Sequence, residues 1–594
     1  MSQLQALRAS FSLHHVATLL QFKPKYLAYI LYKKPAATKY QSFSIAKRGG
    51  GLRQIKAPCP ELMLLQSNLS DLLQNCIDEI NSTRKFRDQL AHGFKRERSI
   101  VTNAMRHRKR RYVFNIDLQD FFGTINFGRV RGFFIKDANF MLHSKVATVL
   151  AQIACHENGL PQGSPCSPVL SNLVGHVLDI HLCKLALKHG CTYSRYADDL
   201  TFSTNKPDFP SGIAKQAVGE VHKWKVGEEL QKIVTHAGFT INPQKTRMQY
   251  RDSRQDVTGL IVNRKVNIRS EYRRTVRAMA QHLFMTGQFE FIRTVPDPNG
   301  VLTPTKTNGT VNQLHGMLGH IDFVDCHNEK MEAKRDSGSP RAKDAAKAVL
   351  RSKQRLYRRF LLFKDFYLAQ RPIVVCEGKT DNVYLLYAIK SLVAAYPKLA
   401  SLSANNKAKV NIRILRTLDS SAGRILNLGQ GWSGLNGLIE RYLSELYKFK
   451  APGMDHAVIL LVDNDSGADE IYKTIKRLTK KNALRTASFV HVTGNLYVVV
   501  TPLKEGVKQS EVEDCFDDAI KNLNLGGRIF SPDNKADPNI YFGKSVLAQY
   551  VRENAPKIDF SGFAGVLDRI TAAIEDYEAK RAKPAAVAGA AVTN

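Results

Sequence analysis

Residues 194 to 202, SRYADDLTF, set two carboxylates side by side, Asp198 and Asp199, between short stretches rich in aromatic and β-branched residues. Like charges that close raise each other's pKa unless a cation or an arginine neutralises them, and a divalent metal is the most economical partner. A third carboxylate stands in RYVFNIDLQDFFGTI, 111 to 125, where an apolar strand ends near Asp117 and aromatic residues and a turn follow. With Asp117 and Asp198 on neighbouring strands of one sheet, their oxygens would converge on a pair of Mg²⁺ ions. Two such ions, roughly 3.5 to 4 Å apart, clamp the attacking and leaving oxygens in phosphoryl transfer. An isolated D-D pair is also what a solvated hairpin tip looks like, so the reading depends on the surrounding segments.

Three segments supply that context. LPQGSPCSPVLSN, 160 to 172, is a Gly/Pro/Ser turn leading into a helix, suited to close backbone approach to a base pair or ribose. SIAKRGGGLRQIKAP, 44 to 58, is hairpin-like, with Lys47 and Arg53 flanking glycines and able to hold a triphosphate by charge-assisted hydrogen bonds. GFTINPQKTRMQY, 238 to 250, brings Lys245 after a turn.

A second acidic set lies further on. RPIVVCEGKTDNVYL, 371 to 385, is a buried apolar strand, a Gly-containing turn and a helix, and HAVILLVDNDSGADEI, 456 to 471, repeats the design. Glu377, Asp463 and Asp465 therefore fall at the carboxyl ends of strands, where an open parallel sheet places its site. Helix capping by acidic residues explains either segment alone. EGKT is not the end of a phosphate-binding P-loop, because the upstream glycine that motif needs is Ile373.

At 594 residues the chain is too long for one core, and two or more domains are expected. Its formal net charge of +34 points to a polyanion, with nucleic acid ahead of a membrane surface, since no amphipathic anchor or lipidation motif stands out. Nine cysteines without a C-x-x-C pair argue against structural zinc and for a reduced cytoplasmic setting; MSQLQALRASFSLHH lacks the apolar core of a signal peptide, and no run is expected to approach the ~18 apolar residues of a membrane span. Residues 327 to 358 are charged, broken by Ser/Gly/Pro at 337 to 340, and then read as a basic helix, hence a linker; the Ala-rich last fifteen residues read as a frayed tail.

In their order, the amino-terminal segments resemble the fingers and palm of a reverse transcriptase, with Tyr196-Ala197-Asp198-Asp199 as its Y-x-D-D element. Within that superfamily, AHGFKRERSIVTNAMRH, 91 to 107, resembles the N-A-x-x-H signature of retron enzymes at Asn103, Ala104 and His107, and VTGLIVN, 257 to 263, their V-T-G element at Val257, Thr258 and Gly259. The resemblance covers about residues 25 to 325. It implies that Asp117, Asp198 and Asp199 form a magnesium-binding triad, that Phe122 is the steric gate against a ribonucleotide 2′-OH, that Gln162 lies near the incoming deoxynucleotide, and that Lys245 protonates the pyrophosphate leaving group. It assigns recognition of the cognate RNA to the two signature elements. It further implies copying of a structured noncoding RNA into a small single-stranded DNA that stays joined to RNA through a guanosine 2′-OH. Basic amphipathic helices from 265 onward would form a thumb gripping an RNA stem.

The carboxy-terminal part, about 369 to 550, resembles a TOPRIM domain, the acidic metal-binding fold of topoisomerases, primases and certain nucleases. SEVEDCFDD, 510 to 518, would carry its third acidic element at Glu513 and Asp514, and Lys544 of YFGKSVLAQYV would be an electrostatic stabiliser, with Mg²⁺ or Mn²⁺ as the ion. The expected fold is therefore multidomain α+β and α/β. Fingers and palm occupy 1–264, a helical thumb 265–326, a basic linker helix 327–368, and a TOPRIM Rossmann-like effector 369–594. The expected activity is that of a bacterial retron polymerase with a nuclease-like effector in anti-phage defence, with homo-oligomers allowed. A mobile-intron polymerase, or a TOPRIM part that only docks nucleic acid, are the alternatives.

Overall fold

The computed structural model describes residues 2–47, 51–83, 90–217, 223–296, 302–335, 352–415, 420–429, 431–480, 482, 484–533 and 536–589. The chain divides into two units, Met1–Arg273 with Ile292–Thr307 and Phe323–Lys343, and Arg274–Phe291 with Asn308–Asp322 and Asp344–Asn594.

In the first unit the alternating pattern of Tyr112–Gln119 becomes the central strand of an antiparallel sheet. On one side it pairs with Asp199–Thr204, which pairs in turn with Thr192–Tyr196; on the other it pairs with Thr240–Ile241 and Arg247–Tyr250. Successive strand residues face opposite sides, so Phe114, Ile116 and Leu118 enter the hydrophobic core while Asn115 and Asp117 share the other face. The same core takes up Val169, Leu170, Val174, Leu178, Leu182 and Leu185 of helix Ser167–Lys188. That helix is long and apolar enough to cross a membrane, contrary to the expectation that no such run exists, yet 61% of its apolar window is buried within the protein. The hairpin expected at 44 to 58 is Tyr40–Ala46 paired with Leu52–Pro58, Ala46 opposite Leu52.

The second unit is built on a five-stranded sheet. Ile373–Cys376 pairs in parallel with Arg413–Ile414 and with Val458–Val462, Val458–Val462 pairs in parallel with Leu496–Val500, and Val490–Thr493 closes the edge antiparallel. The strands Ile373–Cys376 and Val458–Val462 are wholly buried, and each runs through a turn into a helix, Asp381–Ser391 and Ser466–Thr479, as their continuous apolar character required.

Two expectations about the middle of the chain change. Region 265–326 is not purely helical: a hairpin, Glu290–Pro296 with Leu302–Asn308, separates helix Ser270–Thr286 from helix Val311–Arg335, which runs straight through the expected boundary at 326. The thumb and effector segments are also not separated as drawn. Phe284 of the first helix packs on Phe363 and Phe449, ring centroids 5.2 and 5.5 Å apart, inside the second unit. Helix Ser352–Leu362 forms the described end of the supposed linker, and residues 336–351 of it lie outside the described residues. At the carboxyl end, helix Ala564–Gly589 extends through most of the supposed frayed tail.

Candidate functional site

Pairing puts Asp117 directly opposite Asp199, and the Leu118 N–H donates to the Asp198 carbonyl at 3.0 Å, so all three carboxylates meet at one end of the sheet. Ala197 and Asp198 form the two-residue tip between paired Tyr196 and Asp199. Ala197 has φ 55°, a left-handed conformation that costs a non-glycine residue roughly 1 to 2 kcal/mol. Its surroundings enforce it. Arg195 Nη1 donates to the Ala197 carbonyl at 3.1 Å, and a Cβ on Gly93 would stand 2.7 Å from the Ala197 nitrogen, so only glycine fits there. Arg195 is itself fully buried, bidentate to Asp179 at 2.8 and 2.7 Å. The sequence reading missed this pair, although a charged residue inside a buried strand was the available signal.

The electrostatics record a deficit of positive charge. Burial and then the Asp117 charge push the Asp198 carboxyl up, against the pull of Lys245 and Arg53. Asp199 is solvent-reachable yet crowded by protein; that crowding, followed by the Asp198 and Asp117 charges, raises it to about 6. Lys245 Nζ donates to Asp117 Oδ2 at 2.8 Å, and this bond chiefly raises the Lys245 pKa. The lysine expected to act on a leaving group thus rests on the first aspartate. Oxygen donors are what hard divalent cations take, and the upward shifts are what a cation would reverse, so the donor set fits such an ion. Among the described residues no group of three His, Cys, Asp or Glu is already arranged to hold one.

The nucleotide-side residues are gathered by the turn at 160 to 172. The Lys56 N–H donates to the Gln162 carbonyl at 2.8 Å, and a Cβ on Gly163 would sit 2.6 Å from the Lys56 carbonyl oxygen, which docks the turn on the hairpin. Arg53 is exposed on that hairpin and its charge reaches Asp198; Lys47 is exposed at the hairpin's end. Phe121 and Phe122 lie beyond the strand, in a turn that follows left-handed Asp120, so turn geometry rather than strand alternation separates them. Phe121 is buried against Phe239, while half-buried Phe122 meets Phe94, centroids 6.2 Å apart. Replacing the Phe122 ring should admit ribonucleotides: Phe122→Ala is expected to incorporate them in primer extension, and unchanged selectivity would remove the gate.

The signature residues require a correction. Asn103, His107 and Val257 are fully buried, so their side chains cannot touch RNA in this conformation. His107 Nδ1 lies 2.8 Å from Ser203 Oγ and Nε2 2.7 Å from Ser194 Oγ, and Ser194 donates to Asn103 Oδ1 at 2.6 Å. With the Ser194 proton so used, His107 donates from Nε2 and accepts at Nδ1 from Ser203. Burial, then Arg106 and Arg110, holds its pKa well below the usual value, so the ring is neutral. Thr258 donates to the Ile100 carbonyl at 3.1 Å, and Gly259 supplies φ 80° in the turn between strands Asp256–Val257 and Leu260–Ile261. Both elements therefore hold the aspartate-bearing strands and their supporting helix Ile100–Arg106 in place.

In the second unit Glu377 and Asp463 follow adjacent parallel strands and line an open cleft with Asp381, Lys544 and the backbone of Gly378 and Gly431. The Trp432 N–H donates to Glu377 Oε1 at 2.9 Å, and the Val512 N–H to Asp463 Oδ1 at 2.9 Å. Burial first, then neighbouring carboxylates, raises Glu377 to about 7 and Asp463 to about 8. Lys544 bridges Glu511 Oε2 at 2.9 Å and Glu513 Oε2 at 3.2 Å, while Glu513 Oε1 is buried without a hydrogen-bond partner among the described residues. An orphaned carboxylate oxygen beside raised carboxyls fits a cation. Asp465 and Asp514, expected as ligands, act as caps: Asp465 accepts from the Gly467 N–H at 2.8 Å and Asp514 from the Glu511 N–H at 2.8 Å. Asp381 and Glu511 were missed, though Asp381 stands four residues after Glu377 in the same turn.

Comparison with known proteins bears on the first unit. The family described as reverse transcriptase (RNA-dependent DNA polymerase) matches residues 45–275. Retron Mx162 reverse transcriptase of Myxococcus xanthus is 36% identical over 242 residues, 38% of this chain and 48% of that protein. Retron Ec86 reverse transcriptase of Escherichia coli is 31% identical over 287 residues, 48% of this chain and 82% of that protein. A telomerase structure from Candida albicans aligns with TM-score 0.29 and 9% identity, covering 55% of this chain and 64% of that one. The chain thus spans about half of the Mx162 protein and most of the Ec86 protein, and the matched region carries the carboxylates on their paired strands. This chain belongs to the retron reverse transcriptases.

Proposed function

We propose that the protein is an RNA-directed DNA polymerase that copies a cognate structured noncoding RNA into branched single-stranded DNA from deoxynucleoside triphosphates, with Mg²⁺ at Asp117, Asp198 and Asp199. The observation that carries this reading is the register placing Asp117 opposite Asp199, with Asp198 at the adjoining hairpin tip. A divalent ion there would stabilise the charge of the transferring phosphoryl group. The chain's own parts hold the aspartates, supply Arg53 beside Asp198 and shape the nucleotide side with Gln162 and Phe122. The protein would work in a bacterial cytoplasm. Extracting the purified protein and sequencing the nucleic acid that comes with it tests the reading: a branched RNA–DNA supports it, and nucleic acid without such a junction refutes it.

The second unit is proposed as a TOPRIM nuclease-like effector in anti-phage defence, restrained by the RNA–DNA product. Its support is the cleft of Glu377, Asp381 and Asp463 beside the orphaned Glu513 oxygen. Glu377→Ala should abolish both cellular toxicity and phage protection while DNA synthesis continues. Undiminished protection would favour a second reading, a nucleic-acid scaffold without turnover. The engagement of Asp465 and Asp514 as caps, which shrinks the donor set, speaks for that second reading.

A further inference from the structure

The first 60 residues contain ten lysines and arginines and not one aspartate or glutamate; the first acid is Glu61. Within them, FKPKYLAYILYKK, 22 to 34, carries four aromatic residues interleaved with lysines. Helix Pro24–Ala28 passes directly into a π-helical turn, Tyr29–Lys33, in which the Lys34 N–H donates to the Tyr29 carbonyl at 2.9 Å. Leu27 and Ile30 are buried and anchor the segment, which leaves Tyr26, Tyr29 and Tyr32 outward at 41%, 50% and 56% exposure.

Half-buried Phe22 and the outward Tyr26 and Tyr29 form a file. Phe22 and Tyr26 lie nearly parallel, 6° between planes and 6.1 Å between centroids, and Tyr26 and Tyr29 repeat this at 8° and 6.4 Å. Near-parallel aromatic faces presented in a row are what successive unpaired bases stack on. Lys23, Lys25 and Lys33 are exposed in the same segment, placed to neutralise the phosphates of whatever stacks there. Aromatic faces with interleaved cations select an unpaired polynucleotide, since a duplex hides its base faces; Glu61 takes Lys34 at 3.2 Å, while Lys23, Lys25 and Lys33 stay exposed. Helix Ala36–Lys39 then leads straight into the hairpin that carries Arg53, and Phe43 and Ile45, each 48% exposed, extend the apolar track along one face of it.

We propose that Tyr26 and Tyr29, with Lys23, Lys25 and Lys33, form a stacking platform for unpaired RNA, the stretch of template not yet copied. This rests on the polymerase reading above for the identity of the strand, and on the ring file and its charges for the site. Full-length protein freed of nucleic acid at high salt would be titrated with a labelled oligouridine of about 15 nucleotides and with a blunt RNA hairpin. Tyr26→Ala/Tyr29→Ala should weaken oligouridine binding by about tenfold per ring while hairpin affinity stays unchanged, and Tyr26→Trp/Tyr29→Trp should retain parental affinity. The alanine variant should still extend a primer whose template overhangs by one nucleotide and falter on long overhangs. Unchanged oligouridine affinity, or an equal loss on the hairpin, would each overturn the proposal. A parent protein that makes no DNA but shows tyrosine-dependent oligouridine binding would sink the polymerase reading and leave this site standing.

Discussion

Asp198→Asn is expected to lower DNA synthesis by about 10³-fold or more, with the fold intact and RNA still bound, because removing one carboxylate of the proposed cation clamp would cost several kcal/mol of barrier. The structure adds a second expectation. Asp198 is held up in pKa by burial and by Asp117, so it is a source of repulsion in the protein without ligand, and the amide should melt no lower than the parent. Asp117→Asn should lose synthesis to a similar extent and shed only the Lys245 contact, a pair whose lysine is largely solvated and worth less than about 1 kcal/mol. Primer extension alongside thermal unfolding checks both halves. Normal single-stranded DNA levels in either variant would end the assignment, and a collapse in melting temperature would recast the aspartates as structural.

Asp179→Ala is the substitution expected to damage the fold most. It strands the Arg195 guanidinium in a fully buried position, and breaking such a pair from one side costs about 3 to 5 kcal/mol. Thermal unfolding should show this as a drop of roughly 10 °C in the transition of the first unit. Replacing both partners with apolar residues of similar volume, Arg195→Met with Asp179→Leu, should recover part of that stability, limited by the buried Tyr193 hydroxyl, which loses the Asp179 oxygen it donates to at 2.8 Å. Synthesis should nonetheless stay impaired in the double variant, since the bond from Arg195 to the Ala197 carbonyl, which holds the tip beside Asp198, is gone. Full activity in the double variant would show that the arginine only fills space.

The legible parts of the chain were those where one residue type serves one local purpose. Adjacent aspartates between β-forming stretches read as a strand tip and the apolar run ending in Asp117 as a neighbouring strand, so their meeting on one sheet was inferable once the surrounding segments were added. Phe121 is the buried ring and Phe122 the freer one because left-handed Asp120 turns the chain out of the sheet ahead of them, a bend that strand alternation does not reveal. The signature at Asn103 and His107 was misread because polar residues invite a solvent-facing role, and nothing in a linear sequence announces the two serines that bury them. Asp465 and Asp514 failed for the converse reason: a carboxylate two residues before a free N–H, or three residues after one in a capping box, is a cap as readily as a ligand. The joining of the first thumb helix to the effector segment was invisible because Phe284, Phe363 and Phe449 are far apart in sequence and only their packing unites them.

The buried histidine has a bearing on accuracy of assembly. Its two nitrogens grip Ser194 on one strand and Ser203 on the next, positions that sit diagonally across a ladder in which Thr192 faces Ser203 and Ser194 faces Thr201. A slip of one residue between those strands would turn one serine away and bring a core residue against the ring, breaking both grips at once. The hairpin tip would then present a different backbone atom to Leu118, and the acidic trio would lose its spacing. His107 thus behaves as a register lock, a checking device set well away from the chemistry that admits only the alignment in which the carboxylates can work together.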